Sequence, residues 1–495
     1  ADPMADLLMD VHLTQDKDLW ARIRRGFAMP DLQGNLVTSQ ETWYADRPEY
    51  IARMTERSRK YLYHVVEELE RRHMPTELAL LPFIESAFNP QANSSAQAAG
   101  MWQFVPATGR HYDLKQNAFR DDRRDVQAST RAALDYLEKL YGMFGDWQLA
   151  LAAYNWGEGS VMRAINRNMK AGLGTTYADL SMPAETRNYV PKLQAVKNIV
   201  ADPARFSVSL PEIPNHPYFR AVPIDRDMDV SVAAKLAEVD VEVFKALNPS
   251  AKKSMIVASG TPSILLPWDN ADTFTRNLSQ YKGPLASYTA WVVPKTMRLI
   301  DAARHSGMAE SLLRALNHIP HGMLVRGGST LLVERNSEKP TADISQTVAD
   351  NAHLDLAPEI TMQKAYIRAG RHETVAHLAA RYGVSEASLG HWNHVAGSKR
   401  LAKGQMMLVM VPTPFGQKAQ APQARYAFAE ATSTCRHKGK KRHCAAAESP
   451  DAEKKTEVAA RSKSKSEAKA KGKGKAKKKE LAALDAKGSK KRRDD

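Results

Sequence analysis

The residues that read LPFIESAFNP, at positions 81–90, place one carboxylate, Glu85, among apolar side chains. An ionised carboxylate is costly in such surroundings, so it either finds partners or keeps its proton through a raised pKa. Two interpretations therefore stand side by side: a salt-bridged structural residue, and a proton donor kept protonated near neutral pH. The second would make Glu85 a general acid.

Helices must position this residue. Apolar side chains recur at helical spacing before it. Further helical segments follow at 125–144 and 147–159, and the second of them is stopped by Gly157 and Gly159. Alternating strand patterns are almost absent over this region, which predicts a compact α domain over 46–205. Residues 1–45 are predicted to be an N-terminal extension packed on that domain, with 1–3 a cloning remnant, so that any natural signal peptide would be missing.

Three later segments share one outline: an extended apolar piece, two helices and a closing strand. The second helices end at Asn248, Asn317 and Asn393. This repeat predicts degenerate modules over 206–283 and 284–336, a linker over 337–364 and a third module over 365–414. The fold class is therefore mainly α, with small α+β modules of βααβ type.

Composition and charge describe the C-terminal tail and bear on disulfides, metals and cofactors. The net charge of +16 comes mostly from residues 415–495, which hold 24 Lys and Arg against 10 Asp and Glu. That tail is predicted to be disordered, since it has too little apolar surface to fold. The only cysteines, Cys435 and Cys444, lie in it, so the fold needs neither disulfides nor a cysteine-metal site. The histidines show no metal-binding spacing, and neither a metal nor another cofactor is expected.

Three sequence blocks carry a resemblance. The first comprises Glu85-Ser86, Phe88, Pro90, Ser94, Gly100-Met101-Trp102-Gln103, Pro106 and Thr108. The second is Ala-Tyr-Asn-Trp-Gly-Glu-Gly at 153–159, and the third is Glu-Thr-Arg-Asn-Tyr-Val at 185–190. Together, in this order, they resemble the lytic transglycosylases of the lysozyme-like superfamily, and in particular the membrane-bound lytic murein transglycosylase D group. One departure is Trp156, which occupies a place usually held by a small residue.

The resemblance implies a peptidoglycan-cleaving enzyme that closes a 1,6-anhydro ring on N-acetylmuramic acid without using water. It implies that Glu85 is acid and then base, and no second carboxylate is obvious in the blocks. Residues expected to contact glycan or to position the acid are Ser94, Met101, Trp102, Gln103, Tyr154, Asn155 and Tyr189. For Tyr189 the resemblance implies a contact between its hydroxyl and Glu85. Met101, Trp102 and Tyr154 could equally be core residues, and Ser94, Gln103 and Asn155 could serve as caps or bridges. Glu158 and Glu185 are expected to be structural.

The third module resembles a lysin motif (LysM), which implies binding of N-acetylglucosamine-containing glycan; the first two are either spacers or weak binders. In the third module His372-Glu373-Thr374 replaces the usual Gly-Asp-Thr turn. The expected partner is therefore peptidoglycan, in the periplasm or cell envelope, with an outer-membrane lipoprotein as one option. The basic tail suggests an anionic envelope surface or simple solubilisation rather than nucleic acid. Two alternatives remain open: a non-catalytic glycan-binding scaffold, and a muramidase that hydrolyses the same bond.

Overall fold

The computed structural model describes residues 17–335 and 342–425. The described chain forms two compact units, each described here by itself: one comprises 17–365 and 410–421, and the other 366–409 and 422–425. The first unit contains the helical domain and two small modules. The N-terminal residues 1–16, the segment 336–341 and residues 426–495 lie outside the description, and with them Cys435, Cys444 and most of the predicted tail.

Ten α-helices form the described helical domain. They are α1 (Leu19–Arg25), α2 (Asn35–Ala45), α3 (Pro48–Ser58), α4 (Leu62–Arg71), α5 (Leu81–Ser86), α6 (Pro106–His111), α7 (Val126–Phe144), α8 (Trp147–Trp156), α9 (Glu158–Lys170) and α10 (Ala184–Ala201). Two of these helices begin at aspartate caps: Asp125 accepts hydrogen bonds from the first turn of α7, and Asp146 does so for α8. These caps start the helices at the positions that the sequence predicts.

One apolar core joins these helices, and the described part of the predicted N-terminal extension, residues 17–45, contributes to it. Trp20 of α1 is buried and stacks on Phe83 of α5, with ring centroids 6.2 Å apart. A buried carboxylate, Glu77, accepts hydrogen bonds from the backbone N–H groups of Ala28 and Met29 and pairs with Lys197 of α10 at 3.0 Å. The N-terminal segment is thus fixed to α10 and to the residues just before α5.

The first two modules share one plan, in which two antiparallel strand pairs frame two helices. The first module comprises β1 (Phe219–Pro223), β2 (Met228–Asp229), α11 (Val230–Leu236), α12 (Val241–Leu247), β3 (Met255–Ile256) and β4 (Ser263–Pro267), followed by α13 (Ala271–Gln280). The second comprises β5 (Tyr288–Val292), β6 (Met297–Arg298), α14 (Leu299–Ser306), α15 (Glu310–Asn317), β7 (Met323–Val325) and β8 (Thr330–Glu334). The outer pairs are β1–β4 and β5–β8, and the inner pairs are β2–β3 and β6–β7.

The repeated asparagines have one structural role in all three modules. The Asn248 amide donates to the carbonyl of Leu265 on the closing strand at 2.8 Å, and its oxygen accepts from the Leu265 N–H at 2.8 Å. Asn317 makes the same pair of bonds with Leu332, and Asn393 makes it with Leu408. A side-chain amide has both a donor and an acceptor, so it can pair with the N–H and C=O groups of one strand residue as a neighbouring strand would. Each asparagine therefore joins the second helix of its module to the closing strand.

The segment predicted as a linker over 337–364 is ordered over most of its described length, which corrects that prediction. It contains α16 (Gln346–Asn351), β9 (Leu356–Pro358) and the start of β10. Strand β9 pairs with β7, with Leu324 opposite Ala357, so this segment completes the second module. The polar composition of this segment gave no sign of β9, because that short strand is stabilised by pairing with β7, which lies more than 30 residues earlier in the sequence.

The third module consists of β10 (Ile360–Arg368), α17 (Val375–Tyr382), α18 (Glu386–Asn393) and β11 (Met406–Pro414), with β10 paired to β11. At its first turn His372 adopts a φ of +60°, the left-handed region that glycine occupies most readily. Thr374 nevertheless caps α17 by accepting from the N–H of His377. In the part of the chain that the structure describes, no helix has both the length and the apolar character needed to cross a membrane.

Candidate active site

Glu85 lies in the last turn of α5, between buried Phe83 and the turn that follows the helix. Glu85 is partly exposed as a residue, whereas its carboxyl group is largely removed from water. Among the described residues no lysine, arginine or histidine forms an ion pair with it. The interpretation of Glu85 as a salt-bridged structural residue is therefore wrong for the described part of the chain.

A tyrosine holds the Glu85 carboxyl in place. The hydroxyl of Tyr189, a buried residue of α10, donates a hydrogen bond to Oε1 of Glu85. The two residues are 104 positions apart in the sequence, so the folding of α10 against α5 creates this contact. The structure thus brings together the two residues that the resemblance pairs.

Burial is the main cause of a raised pKa at Glu85. With all its neighbours included, the pKa of Glu85 rises from the ordinary value of 4.5 to about 7, mainly because the ionised carboxylate loses hydration. The hydrogen bond from Tyr189 acts in the opposite direction, the negative charge of Glu185 raises the pKa further, and the positive charge of Lys192 lowers it. A carboxyl group with a pKa near 7 can both give and take a proton at neutral pH.

Glu185 and Lys192 are neighbours that the sequence analysis did not assign to the site. Glu185, Tyr189 and Lys192 are spaced four and three residues apart on α10, which places them on one face of that helix. This spacing was readable from the sequence once Tyr189 was assigned to the site. The two charges act on Glu85 through space, without a hydrogen bond to it.

An unusual backbone turn follows Glu85. Ala87 and Phe88 have φ values of +50° and +55°, a left-handed conformation that few non-glycine residues adopt. Buried Phe88 packs edge-to-face on Phe83 at 4.6 Å, and its N–H donates to the carbonyl of Pro82 at 2.9 Å. Backbone outliers of this kind cost about 1–3 kcal/mol each and cluster at functional sites. Packing of Phe88 fixes the end of α5 and therefore the direction of Glu85.

The loop after this turn brings the rest of the first block beside α5. The Ser86 hydroxyl donates to the Met101 carbonyl at 2.9 Å. Gly100 has a φ of +84°, and a Cβ at this position would lie 1.9 Å from the carbonyl oxygen of Arg123, so only glycine fits. Gln103 donates from its side-chain amide to the carbonyl of Gly100 at 2.7 Å. Ser94 is exposed on this loop, and its hydroxyl accepts from the Ala98 N–H at 3.1 Å.

The second block supports the same site from α8. The Tyr154 hydroxyl donates to the carbonyl of Trp102 at 2.9 Å, and burial and the neighbouring Glu85 raise the pKa of Tyr154 well above its usual value. Asn155 accepts a hydrogen bond from the Thr186 hydroxyl at 2.8 Å, which joins α8 to the start of α10. Tyr154 is thus near the acid, whereas Asn155 acts as a bridge between helices.

Met101 and Trp102 are core residues, which corrects the prediction that their side chains line a glycan groove. Both side chains are completely buried. The Trp102 indole N–H donates to the buried Thr130 hydroxyl of α7 at 3.1 Å, so even its polar atom is satisfied inside the domain. Their backbone carbonyls, which accept from Ser86 and Tyr154, are what connects them to the site.

Other carboxylates near the blocks are engaged elsewhere. Glu158 accepts from Tyr136 at 2.8 Å and pairs with Lys139 at 3.0 Å, as expected of a structural residue. Asp121 pairs with Arg123 at 2.7 Å. The turn that carries this pair is buried, with Asp121, Asp122 and Arg123 each about 8% exposed. No group of three histidine, cysteine, aspartate or glutamate side chains suited to a metal occurs among the described residues.

Comparisons with known proteins identify what this chain is similar to. Residues 64–173 match the family described as the Transglycosylase SLT domain, and residues 218–283 match the family described as Lytic transglycosylase MltD, LysM-like domain. The membrane-bound lytic murein transglycosylase D of Escherichia coli K12 is 33% identical over 395 residues, which cover 77% of this chain and 83% of the relative. A putative tributyltin chloride resistance protein of an Alteromonas species is 39% identical over 170 residues, covering 34% of this chain and 80% of that protein. An inactive variant of the lytic transglycosylase Slt from Pseudomonas aeruginosa superposes with a TM-score of 0.24 at 22% identity, covering 30% of this chain and 24% of that one.

Proposed function

Because the chain belongs to the membrane-bound lytic murein transglycosylase D family, we propose that it cleaves the β-1,4 bond between N-acetylmuramic acid and N-acetylglucosamine in peptidoglycan, with Glu85 as acid and then base. The state of Glu85 carries the proposal. Its carboxyl accepts a hydrogen bond from Tyr189, has no ion-pair partner among the described residues and has a pKa raised to about 7. These are the properties that a reversible proton donor needs.

The first step breaks the glycosidic bond. Protonated Glu85 gives its proton to the glycosidic oxygen, and the bond between that oxygen and C1 of N-acetylmuramic acid breaks. The N-acetyl group of the same sugar stabilises the positive charge at C1. We assign this role to the substrate for two reasons. Glu158 of the second block is held by Tyr136 and Lys139. Glu185 of the third block is exposed and acts on Glu85 only through its charge.

The second step closes the ring. Glu85, now a carboxylate, takes the proton from the C6 hydroxyl, and that oxygen bonds to C1 to give the 1,6-anhydro product. No water enters the products, and Glu85 is again protonated at the end of the cycle. The hydrogen bond from Tyr189 supports the carboxylate between the two steps and orients Oε1.

The proposal also covers the place of action. We propose that the protein works in the cell envelope, as the membrane-bound relative does, and that the form in the cell carries a lipid anchor. The basic tail of 415–495 would then lie near an anionic envelope surface.

Product masses test the reaction. Purified peptidoglycan strands are incubated with the full chain, and the products are identified by mass spectrometry. Products with anhydro ends, each lighter by one water than the hydrolytic products, support the proposal. Hydrolytic products would show a muramidase instead, and an absence of products would show a non-catalytic binder.

A pair of variants assigns the chemistry to Glu85. Glu85→Gln keeps the size of the side chain and the acceptor for Tyr189 but has no proton to transfer, so we expect no turnover. Glu158→Gln is the matched control, because Glu158 belongs to the same domain and is held by Tyr136 and Lys139. Turnover by Glu85→Gln at the rate of the unchanged protein would refute the assignment.

A further inference from the structure

A cavity of about 510 Å³ lies where the helical domain meets the first two modules. The first module contributes most of its wall, from α11, α12 and the segment 251–254, and the end of α15 closes one side through His318. The helical domain contributes Gln91, which lies in the loop between Glu85 and Ser94. The side-chain amide of Gln91 approaches the Pro249 carbonyl at 3.4 Å, and Arg124 donates to the Gln91 side chain at 2.6 Å. The cavity therefore borders the loop that carries part of the proposed active site.

A second cavity of similar volume, about 510 Å³, adjoins the first. It is lined by residues 116–118, by Arg120, Asp121 and Arg123, and by His353 and Leu354 of the second module. The two cavities share three lining residues, Lys252, Lys253 and His318. We call the pair of cavities the lysine cleft, because the two lysines lie on the wall that the cavities have in common.

The lysine cleft is rich in cations, and two of them have no carboxylate partner. Among the described residues its lining includes Lys245, Lys252, Lys253, Arg120 and Arg123, with Asp121 as its carboxylate. Three of these cations are paired: Arg123 with Asp121 at 2.7 Å, Arg120 with Asp122 at 3.6 Å and Lys245 with Glu242 at 3.0 Å. Lys252 and Lys253 therefore remain as unpaired charges, whereas 47 Lys and Arg nearly balance 45 Asp and Glu over the sequence of residues 1–414. A concave surface lined by one sign of charge attracts ligands of the opposite sign.

The two central lysines differ in what they contact. Lys252 donates to the carbonyl of Asn117 at 2.7 Å, which ties the first module to the helical domain. Lys253 is partly buried, and among the described residues it has no hydrogen-bond acceptor and no carboxylate partner. Burial and the positive charge of Lys252 lower the pKa of Lys253. A partly buried ammonium group beside a second cation is unfavourable alone, and an anion from a ligand would satisfy it.

We propose that the lysine cleft binds the carboxylates of the peptide stems that N-acetylmuramic acid carries in peptidoglycan. This inference rests on the proposed function, since it concerns the substrate of the same enzyme. The cleft begins at Gln91, on the loop that leads from Glu85 to Ser94, so a strand held at Glu85 would carry its peptide stems near the opening of the cleft. The peptide stem is the anionic part of this substrate, whereas the sugar rings themselves offer no charge that would need lysines. The cleft thus assigns the enzyme a preference for peptide-bearing over stripped strands.

Variants of Lys253 test this preference, because this side chain has no partner in the described structure whose loss would disturb the fold. Turnover is measured on strands that keep their peptides and on strands stripped of peptides by an amidase. We expect Lys253→Gln to raise KM about tenfold on peptide-bearing strands, as the loss of one charge-assisted hydrogen bond would do, and to leave stripped strands unaffected. Lys253→Glu should have a larger effect in the same direction. Lys235→Gln, an exposed lysine of α11 outside the cleft, is the matched control and should change neither substrate.

A binding measurement separates this proposal from the reaction. Calorimetry with Glu85→Gln uses the disaccharide tetrapeptide N-acetylglucosaminyl-N-acetylmuramyl-peptide, and the same compound with its carboxylates amidated. We expect the compound with free carboxylates to bind more tightly than the amidated one, and added salt to reduce this difference. The difference should disappear in the double variant that combines Glu85→Gln with Lys253→Gln. Equal binding of both forms, or equal effects of Lys253→Gln on both kinds of strand, would overturn the proposal. So would binding of phosphatidylglycerol vesicles without binding of the carboxylate compound. Absence of products from any strand would refute the proposed function, while the calorimetry would still decide the question of the cleft.

Discussion

The acid that performs the proposed reaction should also destabilise the folded protein at high pH, and Glu85→Gln measures by how much. In the folded chain the pKa of Glu85 is about 7, against an ordinary value of 4.5. The folded state therefore holds this proton more tightly than the unfolded state does. The resulting stabilisation is fully present below pH 4.5 and is lost as pH rises through 7.

The size of the effect follows from the two pKa values. Each pKa unit corresponds to about 1.36 kcal/mol, so the interval between 4.5 and 7 amounts to about 3 kcal/mol in the free energy of unfolding. Gln is a neutral stand-in for the protonated acid and still accepts the Tyr189 hydrogen bond. We therefore expect Glu85→Gln to be about 3 kcal/mol more stable than the unchanged protein at pH 8, with the difference shrinking steadily toward pH 4.

Calorimetric unfolding at several pH values between 4 and 8 provides the assay, with the two proteins compared at each pH. All other titrating groups are common to both proteins, so their contributions cancel in the difference. Glu158→Gln is again the control, and its difference should not follow the same curve, because Tyr136 and Lys139 lower the pKa of Glu158. A difference between Glu85→Gln and the unchanged protein that stays constant with pH would show that burial does not raise the pKa of Glu85.

Two further predictions concern the surroundings of Glu85. Activity should fall as pH rises through about 7. Tyr189→Phe should move this fall in activity to higher pH, and Glu185→Gln should move it to lower pH, because the two side chains shift the pKa of Glu85 in opposite directions. Rate profiles between pH 5 and 9 check this prediction, and a shift of the fall in activity in the same direction in both variants would contradict it. Trp102→Phe should lower the free energy of unfolding by about 2 kcal/mol, because the hydrogen bond to Thr130 is lost and the ring is smaller. It should not change KM for glycan. A raised KM with unchanged stability would show instead that the Trp102 side chain contacts glycan.

The sequence predicted the fold class well, because local patterns determine most of it. Helix caps such as Asp125 and apolar spacing along α4 act within a few residues of where they appear. The repeated asparagines were visible as a pattern, although their bonds to closing strands 15 to 17 residues later were not. The ordered segment 342–364 was missed because β9 has a polar neighbourhood and is stabilised by pairing with β7, a contact that no local pattern reveals.

The candidate site was predictable where a motif names a residue and less so where burial decides its role. Glu85 and Tyr189 were assigned from the blocks, and the structure joins them. Met101 and Trp102 belong to the same blocks yet are buried, since a motif records which residues are required without saying which atoms are used. Sequence could not distinguish a side chain that touches substrate from a carbonyl that positions Ser86 or Tyr154.

A single carboxyl group can serve both proposed steps only if its pKa is neither too low to keep the proton at neutral pH nor too high to release it. At the ordinary value of 4.5 Glu85 would have lost its proton at neutral pH, and the glycosidic oxygen would find no donor. At a much higher value it would hold the proton and would be slow to release it to the leaving oxygen. Burial raises the pKa of Glu85, whereas the hydrogen bond from Tyr189 and the positive charge of Lys192 lower it. The tyrosine is therefore a positioning residue whose hydrogen bond also keeps the acid within range of neutral pH, which is why its removal should displace the pH profile rather than only reduce the rate.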